Sequence, residues 1–238
     1  MRYMGSKNRI SKELKIIIEN YITDTTESYI EPFVGGANMI DKIQFKNKIG
    51  YDIHKELIAL LNYVKDEKNI LPETFTEEEF NKVKKNRKDY EDWYVGLVGF
   101  CGSFGSNYFG GFARSYRDGV LLDVPITAIR NIQKQRPNLK NITFINDSYL
   151  NIDVKNSLIY CDPPYKGTSK YKDIINYDEF YEWCIKMVKN GNTVLVSEYN
   201  IEHKNFKEIW NKEVKCNINN QILNRETKRI EKLYKVEL

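Results

Sequence analysis

The chain has 238 residues, 41% hydrophobic and 13% aromatic, with 37 basic residues against 33 acidic ones and a net charge of +4. These are globular values that exclude intrinsic disorder, and no apolar run approaches the roughly 20 residues that span a bilayer, so no membrane partner is expected. Cys101, Cys161, Cys184 and Cys216 form no Cys-x-x-Cys pair, and two histidines, His54 and His203, are too few for a catalytic cluster, so no metal is expected.

The opening residues, Met1 to Lys7, are too polar for a signal peptide, and a cytoplasmic setting is expected. A helix is predicted from Ser11 to Asn20. The β-prone run from Ser28 then leads into Glu31-Pro-Phe-Val-Gly-Gly-Ala-Asn38 and an apparent helix. Gly35 and Gly36 allow close backbone approach to a ligand, although the turn lacks the Gly-x-Gly-x-x-Gly of a dinucleotide site and could be an ordinary one. Asp52 ends the next β-prone run, the usual place for an acid that binds ribose hydroxyls, and a helix is predicted from His54 to Lys65. From about Asp66 to Asp123 the strand–helix alternation lapses. Thr76-Glu-Glu-Glu79 starts a helix rich in lysine, including Lys84 and Lys85, and glycines, aromatics and arginines interleave from Cys101 to Arg117. This reads as an insertion of 66–123 within a main domain of 1–65 and 124–238.

Beyond it, a helix is predicted from Pro125 to Arg136, a strand at Ile-Thr-Phe-Ile145, another at Ser157 to Cys161, a helix from Asp178 to Asn190 closed by Gly191, and a strand at Thr193 to Ser197. Two β-prone runs flank Asn224-Arg-Glu-Thr227 in the tail from Glu213, so an antiparallel hairpin is expected to finish the sheet. Alternating strands and amphipathic stretches predict βαβ units, an α/β fold with a largely parallel sheet.

Asp162-Pro163-Pro164-Tyr165 directly follows an apolar strand, at the end where open α/β sheets keep their sites. Two prolines have no N–H to donate, so carbonyls nearby stay available as acceptors. A carboxylate beside such carbonyls suits an amino group bearing two hydrogens, and the Tyr165 ring could lie on the flat face of a base. The same residues could also form a tight loop that Asp162 merely caps.

In order and content these blocks resemble the Dam-type family of N6-adenine DNA methyltransferases, alpha group, over nearly the whole chain. The resemblance implies a Rossmann-like methyltransferase fold, mostly parallel with an antiparallel final strand, plus a small, mainly helical DNA-recognition insertion. It implies S-adenosylmethionine as cofactor and double-stranded DNA as partner, in a bacterial or phage setting; oligomeric state stays open, with a monomer possible. Tyr3-Met-Gly-Ser-Lys7 resembles the N-terminal cofactor motif, in which Tyr3 and Lys7 meet the methionine portion of the cofactor. Glu31 to Asn38 resembles its glycine loop, with Glu31, Gly35 and Gly36 at the cofactor and Phe33 near the sulfonium, which an aromatic face attracts. Asp52 matches the ribose acid, Phe144 and Asp147 align with the block that holds the cofactor's adenine, and Val194 to Asn200 resembles a further family block. Asp162 to Tyr165 is the catalytic tetrapeptide, in which Asp162 binds the target amine between Pro163, Pro164 and the stacking ring of Tyr165. The insertion should read DNA, with Lys84 and Lys85 on phosphates or on a merely solvated face, Arg114 or Arg117 at guanine edges, and Asn107 among the DNA contacts. Ala37-Asn38 departs mildly from the family's third small residue. Two other readings remain: transfer to the N4 amine of cytosine or to RNA, and an inactive DNA-binding module on the same fold.

Overall fold

The structure, a computed structural model, describes every residue except 2, 118, 166–174 and 217–226, and omits the side chains of 106, 117, 121, 215, 216, 227 and 228. The sheet residues expected around 224–226 therefore lie outside the described part.

A seven-stranded sheet organises the chain. Its strands are β1 (Ser28–Glu31), β2 (Lys48–Asp52), β5 (Ile142–Asn146), β6 (Ser157–Cys161), β7 (Thr193–Glu198), β8 (Phe206–Cys216) and β9 (Thr227–Val236), in the spatial order β5-β2-β1-β6-β7-β9-β8. The first five pair in parallel, and β9 lies antiparallel to both β7 and β8. β1 and β6 are buried along their whole length, as apolar strands covered on both faces must be. This is the expected Rossmann-like, mostly parallel arrangement with antiparallel final strands. The chain runs outward from β1 through β2 to β5 and then returns to place β6 on the other side of β1, so the strand order reverses between β1 and β6. Open α/β sheets hold ligands at such a reversal, outside the strands' carboxyl ends.

Helices α1 (Ser11–Glu19), α2 (Lys55–Lys65), α3 (Glu77–Lys85), α4 (Asp92–Cys101), α5 (Val124–Leu139) and α6 (Tyr177–Lys189) surround it. Local chemistry sets their ends. The Thr76 hydroxyl accepts from Glu79 N–H at 3.1 Å, with three glutamates in the first turn of α3 and three lysines in its last, each matching the helix dipole. Asp123 accepts from Ile126 N–H at 2.8 Å to start α5, and Gly191, at φ +88°, ends α6.

Two expectations shift. The segment after the glycine turn is a series of turns and not a helix, because Gly35 and Ala37 take positive φ (+48° and +56°) and side chains claim the carbonyls a helix would use. The Gln135 amide donates to Gly36 O and Ala37 O, and Lys42 Nζ to Asn38 O. The final hairpin starts earlier than Glu213, at Phe206, with a bulge between Glu208 and Trp210 that breaks the two-residue period.

The 66–123 segment contributes α3, α4 and a two-stranded hairpin, β3 (Ser115–Arg117) with β4 (Val120–Leu122). It shares its core with the sheet: Leu97, Val98 and Phe100 of α4 pack in one cluster with Leu57, Leu60 and Leu61 of α2. A Cβ on Gly96 would stand 2.2 Å from the Glu56 carbonyl, so only glycine lets α4 approach α2 this closely.

Candidate active site

The turn after β1, the end of β2 and the tetrapeptide after β6 gather at the reversal of strand order. Asp52 organises the first side. Its Oδ2 accepts from Gly35 N–H at 3.1 Å and its Oδ1 from His54 N–H at 3.0 Å, so one carboxylate ties the glycine turn to the start of α2. Each oxygen keeps a lone pair for a further donor. Burial raises the carboxyl above its ordinary value, opposed by those backbone N–H groups. Asp147 lies alongside, donating its own N–H to Asp52 O at 3.2 Å and accepting from Ser148 N–H and Asn151 Nδ2, each at 2.7 Å.

Tyr3 lies across the glycines. A Cβ on Gly35 would meet its ring at 2.8 Å, and one on Gly36 would stand 2.7 Å from Tyr3 Cβ. Both glycines are buried, and their lack of side chains is what lets Tyr3 close on the turn. Phe33 turns into an aromatic cluster, its centroid 5.2 Å from Tyr149 and 5.6 Å from Phe180. Phe144, expected at the cofactor's adenine, is a core residue at 5% exposure, packed where Val34 crosses Gly50. Residues alternate across β5, and Phe144 falls on the side covered by the main core.

Glu31 closes β1 at 3% exposure, accepting the Tyr29 hydroxyl at 2.8 Å. Burial pushes its carboxyl well above the usual range, and the Asp162 carboxylate adds to the rise. A buried carboxylate beside another is a ready partner for a cation such as an amino-acid ammonium or a sulfonium. The Tyr3-covered glycine turn, the Asp52 oxygens and the buried Glu31 carboxyl therefore fit a nucleoside bearing a cationic tail. The raised value means that holding Glu31 ionised costs stability: the favourable state, with the acid protonated, is fully present at low pH and is lost as pH rises through the raised value. Glu31→Gln should raise the melting temperature at neutral pH by a few degrees, about 2–4 °C per kcal/mol in a chain of this size, while weakening cofactor binding. Thermal scans beside calorimetric titration check this, and a lower melting temperature would contradict it.

On the other side, Asp162 and Tyr165 come together with Lys7, which sequence reasoning had placed on the cofactor's carboxylate. Lys7 Nζ is 2.8 Å from Asp162 Oδ1, 3.6 Å from Glu231 Oε2 and 4.4 Å from the Tyr165 ring centroid. Burial alone would depress this ammonium, but the two carboxylates outweigh it and hold Lys7 above the ordinary lysine value. Asp162 is raised by its burial, with Lys7 pulling the other way. Tyr165, 8% exposed, donates its hydroxyl to Glu231 Oε2 at 2.9 Å and meets Tyr199 edge-on at 4.5 Å. Arg229 Nη1 donates to the Tyr199 hydroxyl at 3.0 Å, and the Pro164 carbonyl accepts from the Tyr177 hydroxyl.

The expected DNA contacts all lie on the 66–123 segment. Lys84 and Lys85 are exposed on α3, and Asn107 is half-buried in the loop after α4. Arg114 is bound: its Nη2 lies 2.6 Å from both carboxylate oxygens of Glu77. The Arg117 side chain is outside the described residues. The rings of Phe104 and Tyr116 are exposed here, a pair sequence reasoning had passed over. Tyr199, Arg229 and Glu231 were also missed; only the tyrosine lay in a block matched by sequence. Among the described residues no group of three or more His, Cys, Asp or Glu could hold a metal, and no helix is long and apolar enough to cross a membrane.

Comparison with known proteins adds an independent finding. The model of the D12 class N6 adenine-specific DNA methyltransferases matches residues 3–235. The type II methyltransferase M.MjaIII of Methanocaldococcus jannaschii is 25% identical, the match covering 85% of this chain and 84% of that protein. The type II methyltransferase M.CviBI of Paramecium bursaria Chlorella virus NC1A is 28% identical over 69% of this chain and 68% of its own length. A DNA adenine methylase of Vibrio cholerae is 24% identical, with shares of 74% and 68%.

Proposed function

Because the chain belongs to the D12 class of N6 adenine-specific DNA methyltransferases, we propose that it extrudes one adenine from duplex DNA and methylates its N6 between Asp162 and the glycine turn, with S-adenosylmethionine as the donor. One observation carries this reading: the Asp52-bound glycine turn and the Asp162 tetrapeptide stand at the carboxyl ends of neighbouring strands, where the sheet order reverses. S-adenosylmethionine supplies an electrophilic methyl group, so the protein needs no nucleophile of its own.

The rest is positioning. Tyr3, Gly35, Gly36 and Asp52 hold the nucleoside, Asp147 fixes the adjoining turn, and Glu31 draws the cationic end inward with Phe33 beneath it. Asp162 and a carbonyl of the Pro163-Pro164 segment accept the two amine hydrogens, which turns the nitrogen lone pair toward the methyl group. Those contacts strengthen as positive charge grows on N6 in the transition state. Orientation of this kind is worth on the order of 7–11 kcal/mol. Extrusion of the base costs a few kcal/mol, and stacking on Tyr165 returns roughly 1–3 kcal/mol.

Residues 66–123 face the DNA in this reading. Lys84 and Lys85 hold phosphates, and Arg114, released from Glu77, reads a base edge. Arg114→Ala should relax preference at one base pair by about 1–3 kcal/mol, measured by methylation of a library of substituted duplexes; weaker binding with unchanged preference would move Arg114 to the backbone contacts. The reading as a whole is tested by nucleoside mass spectrometry of DNA treated with the protein and S-adenosylmethionine, on duplex and single strands. N6-methyladenine in duplex is expected, and N4-methylcytosine in its place would overturn the proposal.

A further inference from the structure

Lys7 occupies both contacts that a target adenine needs. Its ammonium sits on the Asp162 carboxylate at 2.8 Å and over the face of the Tyr165 ring at 4.4 Å. At 6% exposure it has little room to leave, and moving a buried cation away from an anion is costly unless another anion takes it. Glu231 is that anion. Its Oε2 stands 3.6 Å from Lys7 Nζ, and the same oxygen accepts the Tyr165 hydroxyl at 2.9 Å. It comes from β9, 66 residues beyond Tyr165, held in register by the antiparallel pairing of β9 with β7 and β8.

We propose that Glu231 is a positioning residue for methyl transfer: it pins the Tyr165 ring through its hydroxyl and receives the Lys7 ammonium when the target amino group takes over Asp162. The inference rests on the roles given above to Asp162 and Tyr165. The exchange conserves charge, since the pocket keeps one ammonium and two carboxylates throughout, and only the partner of Lys7 changes. The Tyr165 ring is braced by the perpendicular ring of Tyr199, 4.5 Å away, whose hydroxyl accepts from Arg229.

The test uses the full-length protein and a duplex carrying its mapped recognition sequence, with 2-aminopurine beside the target adenine in a parallel set. Glu231→Gln keeps an acceptor for the Tyr165 hydroxyl and removes the charge that draws Lys7 away. Its single-turnover rate should fall about ten- to a hundredfold, with a smaller 2-aminopurine fluorescence rise and with cofactor affinity and melting temperature held near those of the wild type. Glu231→Asp, which restores the charge, should recover part of both the rate and the fluorescence change. Glu231→Gln at full rate would overturn the inference. So would equal loss in both variants accompanied by lower melting temperature and weaker cofactor binding, the mark of a structural role. A wild type that leaves adenine unmethylated would sink the parent reading as well, whereas methylation by the wild type beside an unaffected Glu231→Gln removes the exchange alone.

Discussion

Replacing Asp162 with alanine should slow methyl transfer by at least about a thousandfold, on the order of 4 kcal/mol in the barrier, with cofactor affinity changed no more than a few-fold. The exocyclic amine of adenine is a weak nucleophile because its lone pair is shared with the ring. A buried carboxylate favours the charge that develops on it, more than water could, since no solvent must reorganise. Asp162 is suited to this because burial holds it above the ordinary carboxylate range while Lys7 opposes that rise. Activity requires the ionised form, so the acid limb of kcat/KM should lie above the range of an exposed aspartate, and the rate should disappear as pH falls through that raised value. Single-turnover measurements with saturating cofactor check both statements. A variant as fast as its parent would take Asp162 out of the chemistry.

The second large effect is expected at Asp52, where alanine should weaken cofactor binding about a hundredfold, close to 2.7 kcal/mol. Two backbone N–H groups, those of Gly35 and His54, end on this carboxylate. Hydrogen bonds to a charged group contribute roughly 1.5–3 kcal/mol each, and here they also set the glycine turn that a ligand backs onto. At saturating cofactor the rate should stay within a few-fold, since no atom of Asp52 is assigned to the reacting centre. Calorimetric titration with S-adenosylmethionine gives the affinity directly. An unchanged dissociation constant would mean that the turn keeps its shape without this acid and that Asp52 meets no ribose.

Much of this arrangement was legible in the residues, because the informative ones act locally. Asp52 ends a strand, the glycines follow another, and Asp162-Pro-Pro-Tyr165 stops a third, so each announces its place by its neighbours. The parallel sheet followed from the same alternation. What escaped was long-range. Glu231 reaches Lys7 across most of the chain, and nothing near Arg229-Ile-Glu231 distinguishes it from any charged residue on a strand that alternates apolar and polar positions. Phe144 looked like a ligand contact by alignment, but strand pleat and the cover of the main core decide which way its ring points. The helix expected after the glycine turn failed for a long-range reason too: an amide from α5, Gln135, reaches back nearly a hundred residues to take the carbonyls.

If residues 66–123 read DNA as proposed, the shared packing of α4 against α2, closed at Gly96, has a practical consequence for changing which sequence is modified. Residues 66–123 are not a detachable cartridge, because transplanting them whole would tear open the core they share with the sheet and α2. Engineering should therefore leave α4 in place and exchange the exposed side chains of the β3–β4 hairpin, Ser115, Tyr116, Val120 and Leu122, where new ones can be tried without disturbing the interior.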